Sequence, residues 1–105
     1  MQQLVWRFSC CEQQNIIGLE IEPQPSWESF PALAEDFCLK FNLQKISLDY
    51  GADRAQLHFR TTLGEFLLHY ESLCDSIWVE VFIPNNEKQL IDFYNYISNV
   101  LEEKC

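Results

Sequence analysis

The stretch QKISLDYGADRAQLHFRTTLGEFLLHYESLCDSIWVEVFI, from Gln44 to Ile83, decides the fold. Four runs in it, Lys45–Tyr50, Ala55–Arg60, Glu65–Tyr70 and Ser76–Phe82, are rich in β-branched, aromatic and aliphatic residues and alternate with a period of two. The segments between them carry turn chemistry. Gly51-Ala52-Asp53-Arg54 offers Gly and Asp. Thr61-Thr62-Leu63-Gly64 ends in a glycine able to take positive φ. Ser72-Leu73-Cys74-Asp75 is a third connection of similar length.

Equal hairpins at these turns sort the side chains. Leu48 then faces Leu57, Leu57 faces Leu68, Phe59 faces Phe66, and Tyr70 faces Ile77. One face collects Ile46, Leu48, Tyr50, Ala55, Leu57, Phe59, Phe66, Leu68, Tyr70, Ile77, Val79 and Val81, an apolar surface that a one-residue slip would destroy. The other face holds Lys45, Ser47, Asp49, Gln56, His58, Arg60, Glu65, Leu67, His69, Trp78, Glu80 and Phe82. On it Arg60 opposes Glu65 and His69 opposes Trp78, pairs of the kind that contribute roughly 0.2–1 kcal/mol each.

Outward from the meander, Gln3–Ser9 and Ile16–Glu22 read as strands of a hairpin turning across Cys11–Asn15. Pro23-Gln24-Pro25 stops the second, since proline cannot donate to a ladder. Ser26 or Ser29 is read as the cap of a helix over about Phe30 to Asn42, with Pro31 in its first turn. Its apolar stripe is Phe30, Leu33, Ala34, Phe37, Cys38 and Phe41, while Glu35, Asp36 and Lys40 face out. After Pro84-Asn85-Asn86 a second helix is read over about Glu87–Glu103, with Leu90, Tyr94 or Phe93, Ile97 and Leu101 at helical spacing and a fraying end. Two helices with one stripe each need a sheet face to cover. The expected fold is therefore α+β: a largely antiparallel sheet, the meander plus an N-terminal strand or hairpin, with both helices on one side.

The 105 residues suffice for one domain, 1–105, and 48% hydrophobic content supports a core without metal or disulfide staples. The formal net charge of −9 argues against nucleic acid and anionic membrane surfaces as partners. No apolar run nears the ~20 residues needed to span a bilayer, and no signal-like segment opens the chain. Five cysteines, without a Cys-x-x-Cys pair, read as reduced thiols in a cytoplasm, with no spacing for a metal site and no assigned redox role for Cys10, Cys11 or Cys105.

Three motifs carry a resemblance. Gly51-Ala52-Asp53-Arg54-x-Gln56, Leu67-x-His69-Tyr70-Glu71-Ser72 and Ser76-Ile77-Trp78-Val79-Glu80, with Trp27-x-x-Phe30-Pro31 before them, resemble a family of small gammaproteobacterial proteins classed as a domain of unknown function. The resemblance implies a fold and no mechanism. At the level of architecture, helix, antiparallel sheet and helix with an acidic surface is similar to the frataxin family of iron–sulfur assembly regulators, which implies cation binding as an alternative role.

The chemistry-bearing residues weigh towards binding. No Ser/His/Asp arrangement and no glycine-rich phosphate loop is present, so neither an enzyme nor a cofactor is expected. His58, His69 and Glu80 fall on one face of adjacent strands as weak metal candidates, but a flat sheet offers no cage, and no metal is expected. Arg54 is expected to pair with a carboxylate such as Glu71. The contact patch is expected to be Arg60, Leu67, His69, Trp78, Glu80 and Phe82, an aromatic centre in a polar surround. It would receive a protein partner or a second copy, sheet on sheet.

Overall fold

A computed structural model describes residues 4–11, 13–84 and 87–102. Six strands and two helices follow in the order β1 (Val5–Cys11), β2 (Ile16–Glu22), α1 (Phe30–Phe41), β3 (Gln44–Tyr50), β4 (Arg54–Thr61), β5 (Gly64–Glu71), β6 (Ser76–Val81) and α2 (Gln89–Glu102). All six strands form one antiparallel sheet in the order β1-β2-β6-β5-β4-β3. The meander thus contributes four neighbouring strands, and the N-terminal hairpin joins it by laying β2 against β6. Expected residues Gln3, Asn85, Asn86, Glu103 and Cys105 lie outside the described ones.

The register follows the alternation. Leu48 pairs with Leu57, Leu57 with Leu68, Phe59 with Phe66 and Tyr70 with Ile77. Gly64 takes φ 130°, as the second turn requires. The third turn places Asp75 at φ 51°, a conformation that aspartate tolerates.

Both helices cover this apolar face. Ser29 occupies the cap position of α1, but its hydroxyl accepts from the Ser26 backbone N–H at 2.8 Å instead of capping the helix. Pro31 sits in the first turn, and Asn42 ends the helix in the left-handed conformation. The whole expected stripe of α1 is buried. Phe37 is its hub: its ring centroid lies 5.7 Å from Trp6 of β1, 5.3 Å from Phe41 and 5.5 Å from Phe59 of β4. One side chain therefore ties hairpin, helix and meander together. On α2 it is Phe93 that is fully buried, 4.5 Å from Phe66, while Tyr94 and Leu101 lie at the border of the core. The Tyr96 hydroxyl donates to the Phe41 carbonyl at 2.6 Å and ties the two helices together.

The expected face needs correction at the start of β3. The register shifts between Lys45 and Ser47, so Ile46 is an extra residue in a β-bulge and is 39% exposed. Lys45 is consequently opposite Phe59, on the helix side, where its Nζ bonds Glu35 of α1 at 2.9 Å. Tyr50 does lie opposite Ala55, but at the margin of the sheet, exposed and packed edge-on against Trp27 at 5.1 Å. At the other margin β6 ends at Val81, and Phe82 stands in the bend that follows.

Candidate interaction face

The side of the sheet away from the helices is built by the polar half of each alternation. Reading across neighbouring strands, one row runs Ser9, Gly18, Trp78, His69, Gln56 and Asp49. The next runs Cys11, Ile16, Glu80, Leu67, His58 and Ser47. The six expected contact residues are thus on or beside this face, but in different roles.

Trp78 is central. Its indole stacks on the His69 ring at 5.0 Å and 22°, and the Arg54 guanidinium lies 5.6 Å from the indole centroid. Arg54 in turn donates to Glu71 at 2.8 Å, the pairing anticipated from the turn. Glu71 also accepts from the Cys74 thiol. The bonds from Arg54 and then from Cys74 hold the Glu71 carboxyl below its usual range, and the bond to Glu71, with the charge it brings, pushes the Cys74 thiol up. His69 is only 5% exposed, and its Nε2 meets Glu80 Oε1 at 2.6 Å. Leu67 is likewise buried at 8%. These two residues brace the face from beneath; Trp78, Glu80, Arg60 and Phe82 present it.

A second cluster repeats the theme. His58 Nε2 meets Glu65 Oε1 at 2.7 Å, and the other Glu65 oxygen lies 3.6 Å from Arg60. The Phe82 ring covers His58 at 4.5 Å between centroids yet remains 46% exposed, and its backbone N–H donates to the Glu65 carbonyl at 3.0 Å. Each histidine is thus engaged by its own glutamate. The weak metal set of His58, His69 and Glu80 is split between two pairs. Among the described residues no group of three His, Cys, Asp or Glu side chains is placed to hold a metal ion.

Two features escaped sequence reasoning. Both histidine–glutamate pairs were hidden because the sequence suggests Arg60 as the partner of Glu65 and Trp78 as that of His69, and both of those contacts also exist. Gly18 was hidden because nothing local shows that β2 joins β6. Opposite Trp78 and beside Ser9, it keeps that row low: a Cβ there would lie 3.2 Å from the Ser9 Oγ. Its signal was a glycine inside an alternating strand, which marks close approach of a neighbour.

The remaining chemistry lies elsewhere. A cleft of about 330 Å³ between the start of α1 and the end of β2 is lined by Leu4, Pro23, Gln24, Pro25, Ser26, Ser29, Ala32, Leu33 and Asp36, so among the described residues its only ionisable side chain is Asp36. Cys10, Cys11, Cys38 and Cys74 all stand as thiols. Cys38 is a core residue, and burial pushes its thiol up to about 11. Among the described cysteines Cys74 is exposed, while Cys10 and Cys11 are half-buried. No described helix is long and apolar enough to cross a membrane.

A model of a family described as a protein of unknown function, DUF3630, matches residues 11–102. No curated protein and no solved structure matches the chain.

Proposed function

The chain belongs to the DUF3630 family, and because that description names no activity, we propose from the geometry that it is a non-catalytic protein-interaction module whose open sheet face docks a partner protein. The observation that carries this reading is the half-buried Trp78, stacked on His69 and with the Arg54 guanidinium 5.6 Å from its ring, on the side of the sheet away from the helices, with exposed Phe82 at the margin of the same face. Rigid aromatic anchors set in a polar rim are the composition of binding hot spots.

Charge defines the partner. The arginines of this face, Arg7, Arg54 and Arg60, each lie against a glutamate, which leaves Glu20, Asp49 and Glu80 without an arginine of their own. With a net charge of −9 on the chain, the complementary surface is basic with an apolar centre. The same charge disfavours stacking two such faces on each other, so the occupant of this face is a different protein and not a second copy. The thiols suit a reducing bacterial cytoplasm, where we place the protein.

The test is affinity capture from a native cytoplasm with the unaltered chain, Trp78→Ala, Phe82→Ala and, on the helix side, Leu39→Ala. The reading expects a partner with a basic contact surface, held less tightly as salt rises, lost with either open-face variant and kept with Leu39→Ala. Capture that ignores Trp78 and Phe82, or follows Leu39 instead, refutes it.

A further inference from the structure

The two edges of the sheet are not alike. The outer edge of β3 carries the bulge at Ile46, a device that spoils a strand as a template for another chain. The outer edge of β1 carries no such device. Its seven residues, Val5 to Cys11, pair with β2 in unbroken register; they include one charge and no proline. Among the described residues no strand lies on its other side. Half of its N–H and C=O groups therefore point out of the sheet, since an edge strand can satisfy only the inward half.

We propose that this edge pairs with the same edge of a second copy, joining two six-stranded sheets into one continuous antiparallel sheet. The occupant is a second copy because β1 is complementary to itself. Run antiparallel about a two-fold axis at Phe8, it sets Phe8 against its symmetry mate and Trp6 against Cys10 on the helix side. On the open side Val5 meets Cys11 and Arg7 meets Ser9. Apolar residues face apolar ones on the covered side, and each guanidinium faces a hydroxyl. Centring the axis on Arg7 would instead oppose two guanidiniums, which is destabilising. Val5, 47% exposed in the single chain, gains cover in the favoured register. Pairing over seven residues forms about six to eight ladder hydrogen bonds. The dimer would present two open faces side by side, and it stands whether or not those faces dock a partner.

Position 9 tests the register, because its side chain is exposed and faces Arg7 of the other copy. Analytical ultracentrifugation of the purified chain alone is expected to give twice 12.4 kDa. Ser9→Arg sets like charges opposite each other twice and should raise the dimer dissociation constant about two- to thirtyfold. Ser9→Glu should lower it by a similar factor. Arg7→Glu combined with Ser9→Arg should bring it back towards the original value. Circular dichroism confirms that each variant is folded, and Ser9→Glu, expected to tighten the dimer, separates a charge effect from damage. A chain that remains monomeric at high concentration overturns the proposal. So does a dimer indifferent to charge at positions 7 and 9, or a monomer whose edge binds only foreign peptides.

Discussion

Replacing Phe37 by alanine, side by side with Trp78→Ala, measures which face of the sheet is the core. Phe37 is fully buried and touches Trp6, Phe41 and Phe59, three aromatic partners from three parts of the chain. Truncating such a side chain removes its transfer free energy and leaves a cavity that the rigid surround closes only in part, a cost of about 3–5 kcal/mol. Against a total stability of roughly 5–15 kcal/mol that is a large fraction. At about 4–8 °C per kcal/mol for a domain of this size, the melting temperature should fall on the order of 20 °C. Trp78 is half-buried on the open side and makes one ring stack and one guanidinium contact. Losing both should cost roughly 1–2 kcal/mol. Urea unfolding at fixed pH, followed by circular dichroism, resolves the difference, and an unchanged m-value in both variants would show that the states compared are the same. A Trp78→Ala chain as destabilised as Phe37→Ala would mean that the indole belongs to the core, and the division of the sheet into a covered and an open side would be wrong.

Three further outcomes follow from the side-chain chemistry. Cys38, with its thiol pushed from 9.0 up to about 11, should carry about a hundredfold less thiolate than an ordinary cysteine at neutral pH and resist alkylation in the folded protein; because its folded value is the raised one, its contribution to stability is present below pH 9 and is lost as pH rises towards 11, which alkaline titration of unfolding checks. Arg54→Ala should raise the Glu71 carboxyl from its lowered value, read by carboxyl NMR; the sign is that Glu71 favours the folded state above its unfolded value and loses that effect as pH falls through the folded one, so the variant should flatten the acid limb of the stability profile. Calorimetry with zinc or ferrous ion should show no micromolar binding, since His58 and His69 are each engaged by a separate glutamate, and a clear isotherm lost in a His69→Ala chain would reverse that reading.

The meander was legible because two signals agreed. Alternation fixed which residues share a side, and turn residues fixed where the chain reverses, so the pairings from Leu48 with Leu57 through Tyr70 with Ile77 could be read off. The bulge at Ile46 was not, because Ile46, Leu48 and Tyr50 keep a perfect period of two. What breaks that period is tertiary: Leu43 is buried just before the strand, and Lys45 reaches Glu35 on the helix. The open face was legible as a set of residues and not as a surface. Exposure depends on the neighbours across the sheet, and the placement of β2 beside β6 involves residues some sixty positions apart in the chain.

That distinction bears on where a partner would bind. Leu67 and His69 are already buried, and Arg54, Glu65, Glu71 and Glu80 are held in pairs whose geometry a partner need not organise. Ordering costs are thereby met within the fold, which leaves a preformed surface. Two of the large apolar side chains that the fold leaves uncovered stand together at one end, where Phe82 is 46% and Ile83 52% exposed beside the paired Arg60 and Glu65. Exposed aromatic and aliphatic groups gain the most from being covered. Trp78, half-buried and stacked, has less surface left to lose. The energetic centre of an interface on this face should therefore be displaced from the middle of the sheet towards the Phe82 end, and Phe82→Ala should weaken binding more than Trp78→Ala. The reverse order would place the centre on the indole and make the Phe82 end its rim.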